Sequence, residues 1–318
     1  MQPPAAGIIV VLGEALIDLA EQGDDEPRLA LPGGSPYNVA IGLARLGRPT
    51  AFAGRLSTDP LGALLRRHAE RSGVELSLAV QAVQPSTIAA VELDEGVARY
   101  TFHTEGTADF QWTDAELARI PDDAAAVHFG SLASWTPPGD AAIVRRVAAL
   151  RERTLVSYDP NVRPALQPDR PAARRAIERT LSVVHLAKTS EEDLAWLYPD
   201  TPVEEVAQRW LRLGPTLVVV TRGAAGSNAY TRSAAAQRPA HPVEMVDTIG
   251  AGDAFTAGLL DALAGREVLG VAGSAALAEL DTADLDALLD AAALVAALTC
   301  GRAGANPPRR AELAAARR

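Results

Sequence analysis

Runs of aliphatic and β-branched residues alternate along the chain with segments whose apolar positions follow helical spacing. The run from Gly7 to Leu19 opens as a buried parallel strand would, and residues 37–46 follow as a helix. Strands are predicted at 50–56, 125–129, 154–158, 183–187, 216–220 and 227–231, and helices at 61–72, 140–151, 170–181, 191–197, 203–213, 253–264 and 284–299. This rhythm predicts an α/β fold, a doubly wound and mostly parallel sheet with helices on both faces.

One segment breaks the alternation of strands and helices. The sequence predicts two consecutive strands, at 87–93 and 97–103, joined by an acidic glycine turn at 94–96. Such a pattern predicts a hairpin. We therefore expect a single domain over residues 1–318 that carries a small antiparallel β lid. The lid is predicted to be discontinuous, from about 19–32 and 86–109, and residues 21–27 within it form an acidic surface turn.

Composition narrows the class of protein. The 318 residues carry a net charge of −10 and no basic cluster, which argues against binding to nucleic acid or to an anionic membrane. Cys300 is the single cysteine, so no disulfide framework is expected. No segment approaches the length of a membrane span and no leader is recognisable, so a cytoplasmic protein is expected. Neither a P-loop nor a dinucleotide-binding glycine fingerprint occurs.

The most informative stretch is D-T-I-G-A-G-D-A-F at residues 247–255, which leads into a helical apolar pattern. The small residues Gly250, Ala251 and Gly252 allow an anion to approach the unpaired N–H groups of a helix N-terminus. A carboxylate beside an anion is repelled unless it performs chemistry, such as taking a proton from an attacking hydroxyl. Asp253 is therefore the candidate general base, against the simpler interpretation of a capped glycine turn.

This stretch resembles the second signature of the ribokinase-like, or phosphofructokinase-B, carbohydrate kinases. P-G-G-S-P-Y-N-V-A at residues 32–40 resembles the first signature of that family, in the expected order. D-P-N-V-R-P at 159–164 and T-R-G-A-A-G at 221–226 resemble further family blocks, so the resemblance covers nearly the whole chain. It implies an ATP-dependent kinase that phosphorylates a sugar hydroxyl.

The candidate sugar-binding residues lie in the first half of the chain and in the D-P-N-x-R block. They are Asp18, Gly33, Gly34, Asn38, Tyr100, Phe102 and Arg163, together with Asp253. Asp18 is expected to end the first strand and to accept hydrogen bonds from two sugar hydroxyls, and Tyr100 and Phe102 to close over the substrate from the lid. Simpler interpretations stay open: Asp18 or Asn38 as caps, and the two aromatics as ordinary strand packing.

The candidate nucleotide-binding residues follow later strands. They are Lys188, Ser190, Thr221, Gly223, Gly226 and Gly252. The family has an Asn-x-x-Glu block tied to Mg²⁺ where this chain has Ser190 and Asp193, so the shorter Asp193 is expected to reach Mg²⁺ through water. The resemblance also implies that carbonyls near Asp247, Ile249 and Gly304 could hold a monovalent cation such as K⁺.

Several functions remain open from the sequence. The G-E-A-L-I-D block at 13–18 and G-T-A-D at 106–109 look closest to fructokinases. A 2-keto-3-deoxygluconate kinase is the alternative, because Arg163 and the lid aromatics would also suit a sugar acid, and ribose and nucleoside substrates rank lower. A non-catalytic sugar- or nucleotide-binding relative is the alternative of another class. Exposed strand edges on the lid predict a homodimer formed through it.

Overall fold

A computed structural model describes residues 7–20, 28–94 and 97–317, with backbone alone for residue 20 and residues 91–100. The strands are β1 (Ile9–Leu12), β2 (Leu16–Ala20), β3 (Leu29–Gly33), β4 (Thr50–Ala53), β5 (Arg55–Ser57), β6 (Val80–Ala82), β7 (Ile88–Asp94), β8 (Val97–His103), β9 (Ala126–Gly130), β10 (Leu155–Asp159), β11 (Leu186–Ser190), β12 (Leu217–Thr221), β13 (Ser227–Tyr230) and β14 (Ala235–Arg238). The helices are α1 (Ser35–Arg45), α2 (Pro60–Ser72), α3 (Asp114–Leu117), α4 (Asp140–Leu150), α5 (Arg170–Leu181), α6 (Glu191–Leu197), α7 (Val203–Leu213), α8 (Ala251–Gly265), α9 (Gly273–Ala278), α10 (Thr282–Cys300) and α11 (Arg310–Ala316).

The main sheet has the strand order β14-β13-β12-β11-β10-β9-β1-β4. The pairings from β4 to β12 are parallel, and β13 and β14 extend the sheet antiparallel. Alternate residues of β1 face two different cores: Val10 and Leu12 pack with α4, α5 and α7, and Ile9 and Val11 pack with α1, α8 and α10. Burial on both faces explains why these strands are continuous apolar runs. The predicted doubly wound α/β fold is confirmed.

A second sheet, here called the lid sheet, consists of β3, β2, β7 and β8 in that spatial order. Its β2–β3 and β7–β8 pairings are antiparallel, as expected, whereas β2 and β7 run parallel. The predicted separate small sheet is confirmed. The acidic turn predicted at 21–27 and residues 95–96 at the hairpin tip lie outside the described residues.

The prediction that one strand ends at Asp18 is wrong. The apolar run breaks at 13–15, and the chain leaves the main sheet after β1 and enters the lid sheet as β2. Asp18 is therefore the third residue of a lid strand, paired with Leu31 on one side and Ala89 on the other. Sequence periodicity did not reveal this change of sheet, because apolar residues continue on both sides of the break.

Two other boundaries differ from the prediction for local reasons. The strand expected at 50–56 divides at Gly54 into β4 and β5, and β5 pairs with β6 in a separate two-stranded sheet. The strand expected at 183–187 begins only at Leu186, because Val184 belongs to the turn after α5 and donates its N–H to the Leu181 carbonyl. No helix in the described part of the chain has both the length and the apolar character for crossing a bilayer.

Candidate active site

A cavity of about 310 Å³ lies at the carboxyl edge of the main sheet, between the lid sheet and the start of α8. In open α/β sheets, ligands bind beyond the carboxyl ends of the strands. The sequence-predicted residues that line this cavity are Asp18, Gly34, Asn38, Phe102, Arg163, Lys188, Ile249, Gly250, Gly252 and Asp253. Residues predicted from widely separated motifs therefore come together in one place.

The start of α8 is shaped for close approach by a ligand. Gly250 is the N-cap residue with a left-handed φ of 74°, and a Cβ there would lie 2.6 Å from the Cβ of Ala305, so glycine is required. No side chain caps this helix. A Cβ on Gly252 would lie 3.2 Å from the Lys188 Nζ. The N-terminus of α8 and an ammonium thus face the same point, which suits an anion, although the Ala251 N–H donates to the Thr248 carbonyl at 3.2 Å.

Asp253 projects from the first turn of α8 into the cavity. Its Oδ1 accepts a hydrogen bond of 2.7 Å from the Ser35 hydroxyl, and its Oδ2 accepts one of 2.9 Å from the Asn38 amide. Burial raises the pKa of the Asp253 carboxyl above its usual value, while these two donors and the nearby Lys188 act in the opposite direction. The carboxylate is held in one orientation and has an increased tendency to take up a proton.

Lys188 lies in β11 and forms a buried ion pair of 2.8 Å with Asp159 at the end of β10. Burial alone would lower the pKa of the Lys188 ammonium, but Asp159 raises it above the ordinary value, so the side chain stays charged. The other oxygen of Asp159 accepts the Asn161 N–H at 3.0 Å. The lysine is thereby fixed beside Gly252.

Asp18 reaches the cavity from the lid sheet, across from Asp253. Its carboxylate occupies the space that a side chain at residue 33 would take, because a Cβ on Gly33 would lie 2.2 Å from the Asp18 Oδ2. Burial, and then the charge of Asp253, raise the pKa of Asp18 to about 6, against the opposing effect of Arg163. Gly34 follows with a left-handed φ of 102° and leads into α1.

The structure describes the side chain of only one of the two lid aromatics, Phe102. Phe102 lines the cavity and packs with Leu16, Ala89 and Leu132 in a small apolar cluster below the lid sheet. Tyr100 pairs with Val91 in the backbone register of β7 and β8, and its side chain lies outside the described residues. Phe102 is therefore part of both the apolar cluster and the cavity lining.

Ser190 and Asp193 form a capping box at the start of α6 rather than part of the cavity lining. The Asp193 Oδ1 also accepts the Val162 N–H at 3.1 Å, and its Oδ2 accepts the Thr189 hydroxyl at 3.3 Å. Burial raises the pKa of Asp193 to about 6, with Asp159 adding to the effect. Because both oxygens already have internal donors, a contact with a metal ion through water fits better than direct coordination.

Thr221, Gly223 and Gly226 lie at the carboxyl end of β12, next to the end of β11. Thr221 pairs with Ser190 in register and donates its hydroxyl to the Thr189 carbonyl at 3.3 Å. Gly223 opens a short helical turn, and a Cβ on Gly226 would lie 2.0 Å from the Arg238 carbonyl oxygen. None of these three residues is among those that line the cavity.

Asp247 joins two loops behind the start of α8. Its carboxylate accepts the Ile249 N–H at 3.0 Å and the Gly304 N–H at 2.8 Å. Within residues 7–20, 28–94 and 97–317, no group of three or more His, Cys, Asp and Glu side chains is arranged to hold a metal ion. A monovalent cation here would therefore depend on main-chain carbonyls.

Sequence reasoning missed five polar residues at the site, which line the cavity but were not predicted to bind substrate: Glu14, Ser35, Ser131, Asn161 and Thr248. A sequence signal for Glu14 was available, since it is an acid within an apolar run. In the structure its side chain is buried, with 1% of the residue exposed. Ser35 lies inside the first signature and orients Asp253. Ser131 had no sequence signal, because its placement depends on how β9 ends.

The model of the pfkB family carbohydrate kinases matches residues 8–312. The chain belongs to the pfkB family of carbohydrate kinases. It is 38% identical to a fructokinase of Rhizobium leguminosarum bv. trifolii over 80% of this chain and 79% of that protein. It is 37% identical to a fructokinase of Klebsiella pneumoniae over 82% of this chain and 86% of that protein.

Solved structures agree with this family. The fructokinase of Xylella fastidiosa with bound ATP has a TM-score of 0.86 and 30% identity, with 98% of each chain covered. The fructokinase of Vibrio cholerae O395, in a form with fructose, ADP and calcium bound, has a TM-score of 0.82 and 27% identity, again with 98% of each chain covered. The predicted resemblance is confirmed, and the kinase has the ribokinase-like fold.

Proposed function

We propose that this kinase transfers the terminal phosphoryl group of ATP to a hydroxyl of fructose. The observation that carries the proposal is the position of Asp253, which is held by two hydrogen bonds beside the uncapped N-terminus of α8. The names of the most similar relatives, several of which are fructokinases, support fructose as the acceptor.

In this proposal Asp253 is the general base. It takes the proton of the sugar hydroxyl as the oxygen attacks the phosphorus atom, and its raised pKa favours that transfer. The main-chain N–H groups at Gly250, Ala251 and Gly252 and the ammonium of Lys188, which lies beside Gly252, stabilise the negative charge of the transferring group. For this role the Ala251 N–H exchanges its present acceptor, the Thr248 carbonyl at 3.2 Å, for a phosphate oxygen. Ser35 and Asn38 keep the carboxylate in line with the hydroxyl.

The sugar is proposed to lie between the lid sheet and α1. Asp18 accepts hydrogen bonds from its hydroxyls, and Gly33 and Gly34 leave space for that carboxylate and for the sugar. Arg163 provides a donor from the opposite wall, and Phe102 covers an apolar face. Tyr100, carried by the adjacent part of β8, is proposed to assist from the lid.

ATP is proposed to extend from the start of α8 towards β11 and β12, where its phosphates meet Lys188 and the turns at Thr221, Gly223 and Gly226. Ser190 and Asp193 would hold Mg²⁺ there through water, since the Asp193 oxygens already accept internal donors. When bound, Mg²⁺ neutralises phosphate charge. Main-chain carbonyls near Asp247, Ile249 and Gly304 are proposed to hold K⁺.

The lid is proposed to mediate a homodimer. Its outer strands, β3 and β8, each have a partner on one side only within the described lid sheet. Unpaired strand edges invite pairing with a second copy. A solution mass twice that of the 33.3 kDa chain would support this, and a monomeric mass at working concentration would contradict it.

A coupled ADP-release assay with Mg²⁺-ATP and a sugar panel tests the proposed function. We expect turnover with fructose well above that with 2-keto-3-deoxygluconate, ribose or a nucleoside. Preference for the sugar acid would indicate the alternative kinase. Absence of turnover with every sugar, accompanied by measurable nucleotide binding, would indicate a non-catalytic relative.

A further inference from the structure

A second cavity, of about 230 Å³, lies between the first turns of α5 and the end of α6. It shares no lining residue with the active-site cavity. Its polar lining consists of Arg170 and Arg174 from α5, together with Tyr198 and Thr201, and the rest is apolar. No carboxylate is among the described residues that line it. We call this cavity the arginine pocket.

We propose that the arginine pocket binds a phosphate group, either as free inorganic phosphate or as part of a small phosphorylated metabolite. The guanidinium groups of Arg170 and Arg174 are the donors, and the ring of Tyr198 supports one of them. The inference is independent of which sugar the kinase phosphorylates, because the pocket lies apart from the active site.

The Tyr198 ring forms a rigid surface for Arg174. Tyr198 is buried, and its hydroxyl donates to the Glu178 Oε1 at 2.9 Å and accepts from the Trp210 Nε1 at 3.0 Å. The guanidinium carbon of Arg174 lies 5.6 Å from the centroid of this ring, within the range of a cation–π interaction. Because two hydrogen bonds hold the ring, the guanidinium is positioned before any ligand binds.

Two arginines lie at this ring, and only one of them has a counter-charge among the described residues. The guanidinium carbon of Arg209 is 5.8 Å from the ring centroid, and Arg209 forms an ion pair of 2.9 Å with Glu178. The guanidinium of Arg174 has neither an ion pair nor a hydrogen bond with any described residue, although its Nε is buried. A buried donor without an acceptor destabilises the fold, and a bound anion would supply the acceptor.

The comparison with other arginines distinguishes Arg174. Among the described residues, Arg146, Arg151 and Arg238 also have a buried Nε without an acceptor. In each of these three, however, a terminal nitrogen donates to a carbonyl or a carboxylate. Arg174 therefore differs from them in having its whole guanidinium available to a ligand.

Arg170 adds a second cation to the same helix face, since residues four apart on a helix are neighbours and like charges at that spacing repel. Its guanidinium also has no acceptor within the described part of the chain. The adjacent carboxylate of Asp169 caps α5 and accepts the Ala172 N–H at 2.9 Å. In a chain of net charge −10, two cations side by side without carboxylate partners favour a multiply charged anion.

The size of the pocket indicates a small ligand. Its volume of about 230 Å³ is below the roughly 300–1,000 Å³ of pockets for drug-sized ligands, so a phosphate group with a short organic part fits and a nucleotide does not. Guanidinium groups match the oxygens of phosphate with paired donors. The Thr201 hydroxyl, which donates to the Pro199 carbonyl at 3.4 Å, can turn towards a stronger acceptor.

Titration with inorganic phosphate, followed by phosphorus NMR at constant ionic strength, tests the inference. The protein is saturated with Mg²⁺-ADP, so that the anion site at the start of α8 is occupied. Two charge-assisted contacts correspond to a dissociation constant of about 1 mM. Arg170→Gln and Arg174→Gln should each weaken phosphate binding at least about ten-fold, because each removes one of these contacts. Arg170 is exposed, so its replacement carries little risk to folding.

Arg175→Gln is the matched control, because it makes the same change of charge at an exposed position of α5 outside the pocket lining, and it should bind phosphate as the parent does. Parental binding in either Arg170→Gln or Arg174→Gln, or a parent that shows no saturation at about 10 mM phosphate, would overturn the inference. Acetate should bind at least about ten-fold more weakly than phosphate, and equal binding would overturn phosphate as the ligand class. Glycerol 3-phosphate distinguishes the two sources: tighter binding than phosphate supports a phosphorylated metabolite, and equal or weaker binding supports free phosphate.

Discussion

Replacement of the Asp253 carboxylate by an amide should abolish most catalysis without unfolding the protein. In the variant Asp253→Asn, the new side chain keeps one oxygen for the Ser35 hydroxyl, and the Asn38 amide can turn so that its oxygen accepts from the new NH₂ group. The geometry of the site should therefore be kept, and what the variant loses is the carboxylate that accepts the proton. Removal of a general base typically lowers the rate by about 10²–10⁴, so Asp253→Asn should lose that much kcat.

The same variant should be more stable than the parent at neutral pH. Because burial raises the pKa of Asp253 in the folded state, its ionisation opposes folding, and the parent loses stability as the pH rises through the raised pKa. The amide of the variant does not ionise, so its advantage in free energy of unfolding should be present at neutral pH and shrink as the pH falls towards the ordinary range of a carboxyl group. Chemical denaturation at several pH values measures this difference.

Steady-state ADP release gives the kcat, and calorimetry gives nucleotide binding, which should be unchanged because the main chain of α8 is intact. The parent rate should rise with pH as Asp253 loses its proton, and the variant should lack that rise. Asp290→Asn, which alters a half-exposed carboxylate on α10 that is paired with Arg238, is the matched control and should behave as the parent in both assays. A kcat above about a tenth of the parent value in Asp253→Asn would show that another group is the base.

Two further substitutions test the architecture around the site. Gly33→Ala places a Cβ 2.2 Å from the Asp18 Oδ2, so the carboxylate must turn away. The KM for sugar, measured by sugar titration, should rise about ten-fold, while the nucleotide affinity measured by calorimetry should not change. A parental KM would contradict the role of Asp18. Asp261→Asn replaces a buried carboxylate that accepts hydrogen bonds from Arg48 and Arg310. The free energy of unfolding should fall by about 2 kcal/mol, while kcat per folded molecule stays constant. An unchanged denaturation midpoint would show that the two ion pairs contribute little.

The sequence predicted the fold class, and half of the candidate site residues line one cavity. This was possible because glycine motifs and carboxylates indicate their chemistry without coordinates. Gly250 and Asp253 could be assigned to one site because a glycine turn, a helix start and a carboxylate are all recognisable in the local sequence. Asp18 was correctly assigned to the cavity but to the wrong sheet. The signal that would have separated β1 from β2 was the glycine and acid at 13–14, which interrupt an otherwise apolar run.

The parts of the site that could not be predicted depend on how strands end in three dimensions. Ser131 and Asn161 follow different strands, and the hydrogen bond between them exists because β9 and β10 are neighbours in register. The strand order follows from packing across the whole sheet, which local periodicity does not encode. Asn38 was expected to bind the sugar, and the structure adds a hydrogen bond to Asp253 that no spacing argument contained.

The crossed construction of the lid sheet has a consequence for the order in which the protein assembles. Its two inner strands, β2 and β7, pair with each other although β4, α1 and α2 lie between them in the chain. The pairing of β2 with β7, which forms the roof over the cavity, therefore closes a long loop of chain, and we expect this to slow its formation. We expect the backbone amides of this roof to exchange with deuterium sooner than those of β1 and β9, so that substrate access can open and close while the main sheet stays closed.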